Sequence, residues 1–391
     1  MQRSSGDNRE AGLPCATPVG AGDGQGNPAS TDSPADRAGN GAAGSASSPI
    51  YAALDLGTNN CRLLVAKPSR RGFQVVDAFS RIIRLGEGLS ATGRLSEVAM
   101  DRTIDALQVC ADKLKRRGVE RSRLIATEAC RAAANGAEFL DRVKDRTGLA
   151  LEIVSRETEA KLAVTGCASL IDGEASTVLV FDIGGGSSEL IWLDFGNEPR
   201  RRPHPLGLGA DRAIRAWTSL PVGVVTLSEQ FGGREVGRGV YEAMVAYVRE
   251  MLDRFEAVHQ IGDRLCSGTA HLLGTSGTVT TVAGIYLALP AYDRRKVDGC
   301  WLENAQIREV SDRLIAMSYD ERVAQPCIGR DRADLVLAGC AILEAMLRMW
   351  PCERLRVADR GLREGMLATM MAEDGMHRRR RRFEAMSGDG R

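Results

Sequence analysis

Two short segments of this sequence share a design that could hold phosphate. The first is ALDLGTNN, residues 53–60, and the second is FDIGGGSSE, residues 181–189. Each runs from an apolar strand into an aspartate, then a tight turn of small residues, then another strand. Their aspartates, Asp55 and Asp182, lie 127 residues apart, about one domain length. Glycine lets the backbone approach a ligand closely and take up positive φ. Successive N–H groups in a tight turn form an anion-binding concavity. The candidate phosphate contacts are therefore Gly57, Thr58 and Asn59 in the first loop, and Gly184, Gly185, Gly186, Ser187 and Ser188 in the second. A carboxylate repels phosphate, so Asp55 and Asp182 call for a divalent cation or a water between. One such loop is a common hairpin connector, but two of matching design favour a facing pair of phosphate clamps. A third loop, GTSGTVTTVAG at 274–284, follows a strand and opens a helix. N–H groups at a helix start suit an anion, which marks Gly274, Ser276 and Gly277, although a helix cap without a ligand reads the same way.

Glu128 follows an apolar strand and precedes an alanine-rich helical turn. A carboxylate there points into the crevice where α/β proteins bind ligands, or simply complements a helix N-terminus. Arg131, three residues on, shares its face and either binds a phosphate oxygen or pairs with Glu128. Arg84, in RLGEGL, offers a guanidinium fork for phosphate or a solvated surface charge. His271 beside the third loop reads as structural.

Elements that would position these residues alternate along the chain. Strands are expected at 51–55, 61–66, 73–79, 123–127 and 151–154, with helices at 96–117, 136–147 and 157–170. The pattern then restarts with strands at 177–182 and 188–193, helix 238–257, strand 270–275, and helices 278–288, 304–316 and 331–349. Strand 354–358 and helix 362–373 complete it. Strands alternating with helices give an α/β architecture. Residues 1–49 differ: after Met1, Leu13 and Val19 are the only large aliphatics before Ile50, so a disordered tail is expected. Residues 374–391, with five consecutive arginines from Arg378 to Arg382, read as a basic disordered tail.

Composition excludes several classes. The 391 residues are 43% hydrophobic and 26% charged with a formal net charge of +1, the balance of a soluble globular protein without a global polyanion-binding field. The ten cysteines form no C-x-x-C pair, which argues against structural zinc. No secretory leader is evident, and no run approaches the ~18 apolar residues of a membrane helix. A cytoplasmic protein with reduced thiols, bound to no membrane and no specific nucleic acid, is the expectation.

Taken in order, ALDLGTNNCRLLVA, RLGEGL, ATEACRAAANGAEFL (126–140), SRETEAKL (155–162), DIGGGSSE (182–189) and DRGLREGML (359–367) resemble the exopolyphosphatase / guanosine pentaphosphate phosphatase (Ppx/GppA) family. PVGVVTLSEQF (221–231) and RADLVLAGCAILEAML (332–347) are similar to it too, so the resemblance spans about residues 51–372. It implies two actin-like (ribonuclease H-like) ATPase-superfold domains, at 50–171 and 172–373, flanking a cleft, with the chain returning to the first domain near its C-terminus. By the same resemblance Glu128 is the general base, and Asp55, Asp182 and Glu189 surround Mg2+ (or Mn2+). The implied substrate is polyphosphate or guanosine pentaphosphate, the implied assembly a homodimer, and the form a short one without the C-terminal helical domain of longer members. Departures are Ser188 for a usual threonine, TNNC in the first loop, and Arg156 in place of a common glycine. A superfold kinase and a non-catalytic nucleotide-binding scaffold are the competing classes.

Overall fold

Tyr51–Leu56 (β1) is buried along almost its whole length, as a strand covered on both faces must be. It pairs antiparallel with Asn60–Ser69 (β2), and β2 pairs antiparallel with Gly72–Ile82 (β3). On its other side β1 runs parallel to Arg121–Ala126 (β4), which meets the two-residue strand Glu152–Ile153 (β5). The spatial order is β3-β2-β1-β4-β5. This computed structural model describes residues 48–70, 72–196, 206–266 and 269–376. The tails expected before residue 48 and after 376, with the arginine run, lie outside them.

A second sheet repeats the plan. Thr177–Ile183 (β6) pairs antiparallel with Ser188–Asp194 (β7), and β7 with Ile214–Leu220 (β8). Ala270–Thr275 (β9) runs parallel to β6. Trp301–Glu303 (β10) lies at the edge, antiparallel to Arg354–Ala358 (β11), which is itself parallel to β9. The order is β10-β11-β9-β6-β7-β8. Read from β8, the run β8-β7-β6-β9-β11 matches β3-β2-β1-β4-β5 strand for strand, so the aspartate–glycine loops occupy equivalent hairpins of two like sheets.

The helices are delimited by local chemistry. Glu97–Arg117 (α1) starts where the Ser96 hydroxyl accepts the Ala99 N–H at 3.3 Å and stops at left-handed Gly118, φ 59°. Its last turn carries Lys115, Arg116 and Arg117, which complement the helix dipole. A single turn, Glu128–Ala132 (α2), precedes Gly136–Thr147 (α3), itself ended by Gly148. Arg156–Cys167 (α4) is capped by Ser155, whose hydroxyl accepts the Thr158 N–H at 3.2 Å. Val224–Phe231 (α5) and Arg238–His259 (α6) lie between β8 and β9. Ser276–Tyr286 (α7), Asn304–Ala316 (α8), Val336–Met349 (α9) and Leu362–Glu373 (α10) follow.

Two of these helices join the sheets. On α4, Leu162 belongs to the core around Tyr51, Ala53 and Leu64, while Ala160, Val164 and Cys167 belong to the core around Val178 and Ile191. The final helix α10 buries Leu362, Met366, Leu367 and Met370 in that first core, so both ends of the described chain close the first lobe. The α4–α10 crossing is tight. A Cβ on Gly365 would fall 2.0 Å from the Leu162 carbonyl oxygen, and one on Gly166 would fall 1.8 Å from that of Gly361.

Differences from the sequence expectations are local. Strand β8 and helix α5 went unpredicted as elements, as did α2 and β10, because short or edge pieces carry little periodicity. Helix α9 starts at Val336 rather than 331, because a turn with Leu335 N–H donating to the Arg332 carbonyl comes first. Among the described residues, no helix is long and apolar enough to cross a membrane.

Candidate active site

The two aspartate–glycine loops are built alike at the backbone level. In the first, Gly57 N–H donates to the Asn60 carbonyl at 2.9 Å; in the second, Gly184 N–H donates to the Ser187 carbonyl at 2.9 Å. Each turn is then braced by its own lobe. The Thr58 carbonyl accepts Gly86 N–H and the Asn59 carbonyl accepts Ile83 N–H, both at 2.9 Å. The Gly184 and Gly185 carbonyls accept the first N–H groups of α5, from Val224 at 3.0 Å and Val225 at 2.8 Å. The loop tips face each other so closely that side chains are excluded. A Cβ on Gly185 would sit 2.9 Å from Thr58 Cβ, and one on Gly186 would sit 2.8 Å from Thr58 Oγ1 and 3.3 Å from Glu128 Cγ.

One cleft gathers Asp55, Gly57, Thr58, Asn59, Glu128, Asp182, Gly184, Gly185, Gly186, Ser187, Glu189, Ser276 and Gly277 on its walls. Four other candidates are placed elsewhere. Arg84 makes a two-pronged ion pair with Asp334, 2.8 Å on each prong, and also donates to the Asp331 carbonyl, so it ties the loop after β3 to the approach to α9. Arg131 spends four of its five N–H donors inside the protein, on Glu128 twice, on Glu159 and on the Val154 carbonyl. Ser188 is fully buried and its hydroxyl donates to the Val222 carbonyl at 2.7 Å. Gly274 lies within β9, where a Cβ would strike the Phe181 ring at 2.7 Å, so it serves packing. His271 is also internal, with Nε2 accepting Asp172 N–H and Nδ1 donating to the Leu272 carbonyl.

The cations that line the cleft are Arg62, on β2, and Arg332, just before α9. Their guanidiniums form no ion pair or hydrogen bond among the described residues, which leaves both available to an anion. Arg62 stands opposite Asp55 in the β1–β2 register and points its Nη2 toward the third loop, 4.0 Å from where a Gly277 Cβ would be. Glu159, on α4, is a further carboxylate in the cleft. These three went unassigned because no motif in the sequence marks them out.

The acidic side chains crowd one another. Asp182 and Glu189 stand directly opposite across the β6–β7 hairpin, a like-charged cross-strand pair. Burial pushes the Glu189 carboxyl up to about 7, with Asp182 adding to the push and the Ser187 and Ser219 hydroxyls working against it. Those hydroxyls donate to Glu189 Oε1 at 2.7 and 2.9 Å. Burial raises Asp55 to about 6 against the pull of Arg62 and Arg363. Asp182 is also raised by burial, opposed by the Ser276 hydroxyl and Arg62. Glu159 is held well above the usual range by burial and by Glu189. A divalent cation would relieve this cluster. Among the described residues no three His, Cys, Asp or Glu side chains converge to close a coordination shell by themselves. All-oxygen donors with an incomplete protein shell fit a hard, hydrated ion such as Mg2+ or Mn2+ completed by water and substrate, and do not fit a protein cage.

Glu128 caps the site. Its Oε2 accepts Arg131 Nε at 3.0 Å and Nη2 at 2.7 Å, and its Oε1 accepts Arg156 Nη2 at 2.8 Å. The carboxylate thus stands on the cleft wall beside Gly186.

The chain matches the model of the Ppx/GppA phosphatase family over residues 64–374. It is 28% identical over 329 residues to the guanosine-5'-triphosphate,3'-diphosphate pyrophosphatase of Aeromonas hydrophila, covering 84% of this chain. The chain spans 60% of that relative's length. A solved Ppx/GppA member from Aquifex aeolicus superposes with TM-score 0.66 at 28% identity, covering 83% of this chain and 98% of its own. An exopolyphosphatase from Cytophaga hutchinsonii shares the fold, with TM-score 0.71 at 24% identity over 83% of this chain and 98% of its own. The two like sheets and their facing loops are the actin-like ATPase fold, and the chain belongs to the Ppx/GppA phosphatase family.

Proposed function

We propose that this chain hydrolyses the terminal phosphoanhydride of inorganic polyphosphate. The observation that carries the reading is the place of Glu128, against Gly186 and within the same cleft as both loops and two unpaired arginines. A phosphate cradled by the second loop and a water held by Glu128 would be neighbours, as in-line attack demands.

The chain's own groups then divide the work. Backbone N–H groups of the loops, with Arg62 and Arg332, hold and orient the terminal phosphate. Glu128 aligns the water and takes its proton on a carboxylate oxygen as the water oxygen bonds to phosphorus and the bridging P–O bond breaks. Asp55, Asp182 and Glu189, with Glu159 nearby, are the residues that would hold Mg2+, partly through water. When bound, that ion supplies neutralisation of the charge on the phosphate oxygens. Removal of the ion by a chelator is expected to abolish phosphate release and its return to restore it.

The second reading is guanosine pentaphosphate hydrolysis at the same site, supported by the name of the Aeromonas relative. Phosphate release by the purified protein with Mg2+ from long polyphosphate, short polyphosphate, guanosine pentaphosphate and ATP tests both. Faster turnover of guanosine pentaphosphate than of any polyphosphate would replace the first reading by the second. ATP-dependent phosphorylation of an acceptor without phosphate release would reject both. Glu128→Gln, with the fold retained, is expected to lower kcat by about 10²–10⁴-fold, the usual worth of a general base.

A further inference from the structure

Both oxygens of Glu128 are occupied by guanidiniums, and the two arginines differ in how firmly they are held. Arg131 is 18% exposed and anchored on the Val154 carbonyl at 2.6 Å and on Glu159 at 3.2 Å as well as on Glu128. It cannot leave without stranding buried partners. Arg156 is 43% exposed, sits at the first position of α4, and among the described residues its side chain bonds only to Glu128, through Nη2 to Oε1 at 2.8 Å and Nε to Oε2 at 3.3 Å. Oε1 has no other partner among the described residues. Of the two arginines, only Arg156 therefore competes with a water for Glu128 Oε1, which keeps a lone pair for a second hydrogen bond.

We propose that Arg156 is an anion-responsive latch, a positioning residue that holds Glu128 until a polyphosphate group enters and then transfers to a phosphate oxygen of the substrate. The inference rests on the hydrolytic reading of the same cleft. The exchange is favourable for physical reasons. A half-exposed ion pair is weakly held, whereas a phosphate chain offers several anionic oxygens to the planar guanidinium fork. A ligand shifts such an equilibrium only by binding one state better than the other, and the released guanidinium gives a polyanion that preference. Arg131 stays behind on Oε2 and keeps the carboxylate aimed while Oε1 is freed for water. The competing contact on the base is thereby removed when substrate charge is present.

The test uses the full chain with Mg2+ and long-chain polyphosphate. Arg156→Ala, at an exposed helix-start position, is expected to raise KM about tenfold or more, the usual loss for a charge-assisted contact, with the defect carried by KM rather than kcat. Arg156→Lys should recover part of that KM, since it keeps the charge and loses the fork. A fall in kcat at unchanged KM would show that Arg156 merely props Glu128, and would overturn the latch, as would no change in either constant. A second measurement does not depend on turnover. Fluorescently labelled polyphosphate should bind Glu128→Gln about tenfold more tightly than it binds the Glu128→Gln, Arg156→Ala double variant. Equal affinities reject the latch. Absence of phosphate release by the wild-type protein from every substrate rejects the hydrolytic reading instead, and leaves the binding comparison to judge Arg156.

Discussion

Asp55 and Asp182 occupy the same place in their sheets yet face opposite charges across their hairpins, Arg62 for the first and Glu189 for the second. The asymmetry divides the labour of the cleft: one hairpin offers a cation to an anionic ligand, the other concentrates carboxylates that only a cation or protons can calm. Asp182→Asn is accordingly expected to weaken the Mg2+ dependence of phosphate release, and an unchanged magnesium titration would remove it from the metal's surroundings. Arg62→Ala should raise KM for polyphosphate about tenfold, because an unpaired guanidinium in the cleft is lost. Arg84→Ala should instead lower stability, its partner Asp334 being left without the ion pair. Binding and melting measurements on the two variants separate these roles. Arginine type and loop context suggested Arg84 and Arg131 as phosphate ligands. Arg84's partner Asp334 is 250 residues away, beyond any local pattern, whereas Arg131 takes the pairing with Glu128 three residues back and adds Glu159, 28 residues away.

Elements in this protein meet through glycines at two levels. The loop tips need Gly185 and Gly186 because Thr58 and Glu128 fill the space a Cβ would take. At the base, α4 and α10 cross at Gly166 and Gly365, where backbone touches backbone. Gly365→Ala places a methyl 2.0 Å from the Leu162 carbonyl oxygen, which only a shift of the helices can relieve. We expect a loss of about 1–3 kcal/mol, the scale of overpacking, read as a lower denaturation midpoint. A midpoint equal to wild type would mean the crossing is loose. Because α4 also carries Arg156 and Glu159, the same variant should disturb catalysis through the placement of those side chains.

Over the whole molecule, the raised carboxyls make stability depend on pH and metal in a stated direction. Asp55 and Glu189 bind protons more tightly folded, at about 6 and about 7, than their ordinary values of 3.8 and 4.5. Their contribution to stability is therefore fully present below the unfolded values and is lost as pH rises through about 6 to 7. The metal-free protein should lose this increment between about pH 4 and pH 7, and Mg2+ should raise Tm more at pH 8 than at pH 5, because only the ionised cluster binds a cation. Thermal melts with and without chelator check this; a Mg2+ shift equal at both pH values would count against the cluster.

Much of the architecture was legible in the sequence because it is written locally. The strands around both loops, the cap at Ser96, and the stops at Gly118 and Gly148 follow from short-range periodicity and backbone preference. The repeated Asp-Gly turn announced a duplication, and the matching Gly57 and Gly184 hydrogen bonds are its backbone form. What local pattern could not decide was which charges are spent inside the protein and which are left for a ligand. Arg84 is consumed by the distant Asp334, Arg131 by Glu128 together with the more distant Glu159 and Val154 carbonyl, Arg62 and Arg332 have no such partner among the described residues, and Arg156 bonds there to Glu128 alone. Those outcomes depend on sheet register, on the α4–α10 crossing and on the meeting of two lobes. A guanidinium looks the same in sequence whatever lies 3 Å from it, so only the tertiary structure could assign it.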